Sequence, residues 1–325
     1  MDRRTFIGVV ATGMIAAPLI ARAQPTAPVR RIGWLSPSQS TTTELEQQSL
    51  ALRERGWIEG QNLLIERRYN NGKAELFRPL AEELVRLKVE LIVTQGTPPA
   101  LAAKNATQTI PIVIWSSGDP VLTGLVASLA RPGGNITGYS IVSPELNAKR
   151  VSLLRELLPG LQRIGMLEVS TNPYNRAARE ELEQKFSSLG IQTIFVEVAA
   201  AGELENAVAE VARQRGQALI APDEGLFLEN RVELMRAAQK HALPIMAGPK
   251  ILLEAGALVF YGFSWAERRR RGAYFVDKIL RGAKPADLPI EQPTQFEFGI
   301  NLKTAKALGI TVPKEMLLRA DEVIQ

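Results

Sequence analysis

The sequence predicts an α/β protein of two similar lobes, each a parallel sheet with helices on both faces, joined by a hinge that the chain crosses three times. Three observations predict it. Short apolar runs alternate with helical periods along most of the chain, the pattern of βα units. Most of the strand runs are largely apolar, as expected of strands buried on both faces. The chain has 325 residues, more than one comfortable core, so two domains are expected.

The N-terminus is read apart from the fold. Arg3-Arg4 precedes an apolar stretch from Val9 to Ile20, and Ala21-Arg22-Ala23 supplies small residues at an A-x-A exit. This is the pattern of a secretory signal peptide, residues 1–23. The apolar part is short for a membrane anchor, the alternative reading. Arg-Arg-Thr-Phe-Ile is similar to a twin-arginine export signal. The mature chain is expected to begin at Gln24 and to work in the periplasm.

From there a strand at 31–35 is followed by a helix at 43–55, which Gly56 stops. A strand at 63–69, an amphipathic helix at 74–87 and a strand at 89–94 come next. A helix at 98–106, a strand at 110–115 and a helix at 121–130 complete the first series. Arg131-Pro132-Gly133-Gly134-Asn135 is the strongest turn signal in the chain, and a strand at 136–140 follows it. The second series has helices at 144–158, 173–189, 203–215 and 226–241, with strands at 163–168, 191–198 and 218–221. The tail has strands at 257–262 and 296–301 and helices at 265–280 and 303–308, too few for a third core. It is therefore expected to return to the first lobe and cross once more to the second. That places the first lobe at 24–139 plus 263–293 and the second at 140–262 plus 294–325.

In open α/β sheets ligands bind beyond the carboxyl ends of the strands. The polar residues at those positions are the candidate ligand contacts. They are Ser36 and Ser38 after the first strand, Gln95, Gly96 and Thr97 after the third, and Ser116 and Asp119 after the fourth. Thr137 follows in the next strand, with Asn172, Tyr174, Asp223 and Tyr261 in the second lobe. Thr97-Pro98, Ser143-Pro144 and Asn172-Pro173 also read as helix caps followed by a first-turn proline, which accounts for them without a ligand. Asp119 and Asp223 would suit a ligand's ammonium group or, equally, a cap or Asx-turn. Trp34, Trp115, Tyr174, Phe227 and Tyr261 read as stacking surfaces or as core. Arg268 to Arg271 point around much of their helix and read as a solvated face, or as a docking patch.

Composition narrows the chemistry. The formal charge of +5 falls to +3 once Arg3, Arg4, Arg22 and Asp2 are removed, and no clustered basic face marks a nucleic-acid binder. There is no cysteine, which excludes thiol nucleophiles and leaves no site for lipid attachment, and His241 is the single histidine. No Walker loop or G-x-S-x-G elbow is present. Carboxylate chemistry stays open, because Asp119, Asp223 and Glu224 could pair in space. No cofactor and no metal are expected, and the reading is of a binding protein rather than an enzyme.

A series of stretches resembles a known family. They are Gly56-Trp57-Ile58-Glu59-Gly60-Gln61-Asn62, Thr109-Ile110-Pro111-Ile112-Val113, Asp119-Pro120-Val121 and Leu129-Ala130-Arg131-Pro132-Gly133-Gly134-Asn135-Ile136-Thr137-Gly138. Later matches are Tyr261-Gly262, the run from Lys278 through Gly282-Ala283-Lys284-Pro285 to Pro289, and Asn301-Leu302-Lys303-Thr304-Ala305. Together they resemble the substrate-binding proteins of ABC transporters, some of which bind aromatic amino acids. The resemblance implies a type I periplasmic binding fold: two Rossmann-like lobes, three crossovers and a ligand in the cleft. It also implies a membrane permease and an ATPase as partners, with the chain itself a monomer that touches the membrane only through the permease. By position, Thr97, Asp119, Asn172 and Asp223 are where such a family places ligand contacts. The same fold would serve the ligand-sensing subunit of a signalling receptor. An exported carboxylate-dependent enzyme is the third reading.

Overall fold

A computed structural model describes residues 28–37, 42–141 and 144–325. The expected signal peptide, Ser38 and Ser143 lie outside the described residues.

The first sheet is built from β1 (Arg30–Ser36), β2 (Leu63–Tyr69), β3 (Leu91–Gln95), β4 (Ile112–Ser116) and β5 (Ile136–Gly138). Its order is β2-β1-β3-β4-β5, all parallel. Its helices are α1 (Thr42–Arg53), α2 (Phe77–Arg86) and α3 (Thr97–Ala106). The alternation of strand side chains feeds two cores. Trp34, Ile65, Val93, Val113 and Trp115 pack on one face with Leu52 of α1, while Leu35, Ile92, Ile112 and Ile114 pack on the other with α2 and α3.

The second lobe begins with α4 (Pro144–Leu157), β6 (Arg163–Val169), α5 (Pro173–Ser188), β7 (Gln192–Val198), α6 (Leu204–Arg213) and β8 (Ala218–Ala221). It continues through α7 (Gly225–Glu229), α8 (Arg231–Lys240), β9 (Ile245–Ala247), α9 (Lys250–Glu254) and β10 (Val259–Phe263). The chain then forms α10 (Trp265–Leu280), whose Ala273, Phe275, Val276 and Ile279 pack into the first lobe against Trp34 and Trp115. It crosses back to β11 (Phe296–Asn301), α11 (Leu302–Ala307), α12 (Lys314–Arg319) and β12 (Glu322–Ile324). The second sheet runs β12-β11-β10-β9-β8-β6-β7, parallel except for the β10–β11 pair.

Two expected helices come out differently. Residues 121–130 form turns, because Gly124 sits at φ +69° and its N–H bonds back only three residues, to the Val121 carbonyl. The expected helix over 226–241 is split into α7 and α8 at Asn230, whose backbone leaves helical geometry at φ −106°, ψ 32°. The short pieces β9, α9, α12 and β12 have no counterpart in the sequence reading; Pro244, Pro249 and Pro313 cut their periods short.

Three chain segments cross between the lobes, and the start of α10 binds them together. Tyr139 pairs with Glu291 as an isolated parallel bridge, and Ser264 N–H donates to the Gln295 carbonyl at 2.9 Å. The Glu267 carboxylate, buried in the first turn, accepts from Tyr139 Oη at 3.1 Å and Gln295 N at 3.1 Å, and from the Thr294 hydroxyl and amide. One turn on, Arg271 forms a bidentate ion pair with Glu291.

Candidate functional site

The sheet orders fix where the crevices lie. In the first sheet the winding reverses between β1 and β3, so the crevice lies beyond Ser36-Pro37 and Gln95-Gly96-Thr97. In the second it reverses between β6 and β8, beyond Ser170 to Tyr174 and Pro222 to Gly225. These two switch points face each other and touch.

On the first wall Gly96 has φ +101°, a conformation a side chain would strain, and its N–H donates to the Ser116 carbonyl at 2.8 Å. Gly96 itself occupies the cap position of α3, and Thr97 is the first helical residue rather than the expected cap. The buried Thr97 hydroxyl instead accepts from Gly118 N at 3.0 Å. The Gly118 carbonyl accepts from the Ser117 hydroxyl at 2.8 Å and the Ser140 hydroxyl at 3.2 Å. Gly118 is thereby fixed at the lip, and a Cβ there would lie 2.4 Å from the Tyr174 ring of the opposite lobe. The second contact is between Pro37 and Gly225, where a Cβ would come within 3.3 Å of the proline.

On the second wall Asn172 caps α5 as expected, Oδ1 accepting from Tyr174 N at 3.1 Å. Its amide also donates to Glu224 Oε1 at 2.6 Å, and Asn175 donates to the same oxygen at 3.2 Å. Burial pushes the Glu224 carboxyl up to about 7, against the two amides that favour its charged form. Asp223 lies beside it with its side chain 11 % exposed, and burial raises its carboxyl above the ordinary range, with Arg268 the main opposing influence. Burial and, secondarily, the Asp119 charge push the Tyr174 phenol up as well.

Two guanidinium groups face Asp223, and sequence reasoning missed both. Arg150 of α4 is buried, donates from Nε to the Tyr261 carbonyl at 2.9 Å and from Nη1 to Asn147 Oδ1 at 3.1 Å, and is pushed down to about 10 by burial. Arg268 comes from the first lobe and is 2 % exposed, which corrects the reading of 268–271 as a solvated face. Its guanidinium lies over Trp265, 4.6 Å from the ring centroid, and near Phe263 at 5.7 Å. It stands 3.9 Å from Asp223 Oδ2 and 3.7 Å from Glu44. A long run of identical charges carries no signal for which member faces inward; the helix phase, set by Gly272 and Ala273 against the sheet, decides it.

The other candidates divide. Ser36, Gln95 and Ser116 stand at the crevice mouth, and Gln95 Oε1 is buried without a partner. Asp119 caps its own turn, accepting from Val121 N at 2.8 Å and Leu122 N at 3.0 Å. Thr137 faces away, its hydroxyl donating to the Leu288 carbonyl at 2.8 Å. The Tyr261 ring stacks on Phe296 at 5.8 Å, so it is the tyrosine's backbone that serves the site, by holding Arg150.

A family model described as "ABC transporter substrate binding protein" matches residues 45–324. This chain belongs to that family. The family accordingly makes it the substrate-binding component of an ABC transporter, with two lobes of the type I periplasmic binding fold. A tyrosine-binding protein of Clostridioides difficile (strain R20291) is 26% identical over 261 residues, 80% of this chain and 74% of the relative. A structure of an ABC domain in complex with L-Trp, from Streptococcus pneumonia, is 26% identical with a TM-score of 0.83, covering 91% of this chain and 99% of the other. A conserved domain protein from Vibrio cholerae has 25% identity and a TM-score of 0.84, with 91% and 99% covered.

Proposed function

We propose that this substrate-binding protein captures a small amino acid or related carboxylate between its lobes, outside the cytoplasm, and delivers it to a membrane permease coupled to an ATPase. The observation that carries the reading is the cluster of Asp223, Arg150 and Arg268 where the two switch points meet, because it brings both signs of charge together, Asp223 and Arg150 from one wall and Arg268 from the other. The relatives that bind tyrosine and L-Trp support an amino acid, aromatic ones included. The lobe limits are taken near the three crossings, 139/140, 262/263 and 293/294, with Phe263 itself still completing β10 of the second sheet, and closure about them would enclose the solute.

Binding without turnover fits the carboxylates. Asp119 is engaged with its own turn and Glu224 with two asparagines, so neither is poised with Asp223 as an acid–base pair. Among the described residues no helix is long and apolar enough to cross a membrane, which suits a chain that reaches the bilayer through its permease. Export by residues 1–23 completes the reading.

Thermal-shift screening of amino acids, organic acids and other small solutes tests it, since a ligand of the folded state must raise its melting temperature. Calorimetry on Asp223→Ala should then show binding weakened by about 1.5–3 kcal/mol. Unchanged affinity would return Asp223 to a structural role, and the absence of any stabilising solute would overturn the reading.

A further inference from the structure

We propose that Arg268 is a ligand-contacting residue which takes the carboxylate of an α-amino acid, while Asp223, opposite it on the other lobe, takes the ammonium. The inference rests on solute capture in the cleft and adds which arm of the solute each wall reads.

A guanidinium carries five N–H donors in a rigid plane. Arg268 is 2 % exposed, and among the described residues its Nε is buried without an acceptor. Its approaches to Asp223 at 3.9 Å and Glu44 at 3.7 Å are ion-pair distances, beyond hydrogen-bond length. The guanidinium lies over the Trp265 ring and near Phe263, contacts that offer its N–H groups no hydrogen-bond acceptor of the carboxylate kind. Burying such donors without acceptors is costly, so a site that keeps them is built for an acceptor that arrives from outside.

Two further atoms share the condition. Trp265 Nε1, on the ring beneath Arg268, is buried without an acceptor, and Asp223 Oδ2 is buried without a donor. Two orphaned donor groups and one orphaned acceptor therefore gather where the walls meet. A planar carboxylate matches the guanidinium fork, and an ammonium matches the aspartate oxygen. Arg150 does not compete for the first role in the same way, because its Nε and Nη1 are committed to Tyr261 and Asn147. A zwitterion satisfies both signs and leaves the charge of the cluster unchanged. A deaminated acid would leave Asp223 Oδ2 without a donor, and a decarboxylated amine would leave Arg268 without an acceptor. The two arms are read from opposite lobes, so only a solute carrying both ties the lobes together.

Calorimetry on the full chain tests this. The twenty L-amino acids are screened first; the one bound most tightly is then compared with its decarboxylated amine and its deaminated acid. Arg268→Gln should weaken the amino acid by about tenfold or more and leave the amine within about twofold, while Asp223→Asn should weaken the amino acid to a similar extent and leave the deaminated acid within about twofold. Arg268→Lys, which keeps the charge and loses the fork, should fall between and serves if the glutamine variant does not fold. Equal losses for amino acid and amine would overturn the assignment. So would wild-type binding of a deaminated acid as tight as that of its amino acid, or binding confined to solutes that are not amino acids; both would leave solute capture standing. No binding by any class of solute would overturn solute capture itself.

Discussion

Glu224 shows how a single carboxylate can report the state of the cleft. Burial lifts it to about 7, whereas an unfolded glutamate titrates near 4.5. Between those values the folded chain keeps a proton that the unfolded chain has released. Its contribution to stability is therefore full below about pH 4.5 and is lost as pH rises through about 7. The melting temperature of wild type should fall, relative to Glu224→Gln, between about pH 5 and pH 8, because the glutamine has no proton to lose. Parallel curves for the two proteins would show that Glu224 is solvated and ordinary. Its neighbours explain what was legible at this scale. The cap at Asn172 is written in Asn-Pro and appears where it was read. Arg150 and Arg268 were not legible, because burial of an arginine depends on what distant segments bring to it: β10 of its own lobe for Arg150, the opposite lobe for Arg268.

At the scale of elements, α10 carries the most. Its limits, Trp265–Leu280, match the sequence period, since Ser264 caps it and Gly282 follows its end. Residues of its first two turns then face three ways. Glu267 gathers the hinge segments, Arg268 turns to the cleft, and Arg270 points to solvent. Glu267→Ala would strand the Tyr139 hydroxyl and the donors of Thr294 and Gln295 inside the hinge. Orphaned donors cost about 1–3 kcal/mol each, so a loss of about 3 kcal/mol or more is expected by urea denaturation. A loss below about 1 kcal/mol would mean that water replaces the carboxylate and that the hinge is not organised by it. The turns at 121–130 mark the limit of periodicity at this scale. Val121, Leu122, Leu125 and Val126 have helical spacing, yet Gly124 permits and Asp119 favours a tighter path.

For the molecule as a whole, the alternation of apolar runs was enough to give two parallel sheets and a returning tail, because strands buried on both faces are the most legible elements in a sequence. The candidate site was legible as a region, the strand ends that carry Thr97, Ser116, Asn172 and Asp223. Which of them meet across the cleft was not legible. The Gly118–Tyr174 and Pro37–Gly225 contacts join residues far apart in sequence, and a glycine that matters for its missing Cβ leaves no pattern. The central claim is that a solute sits between the lobes and touches both. Amide hydrogen exchange with and without a saturating ligand found by the screen tests this most directly. Protection should rise together at 95–97 and 116–119 on one wall and at 172–175 and 223–225 on the other. Protection confined to one wall would contradict it, as would protection at the distant surface hollow between Glu156–Gly160 and Gly309–Pro313 of the second lobe.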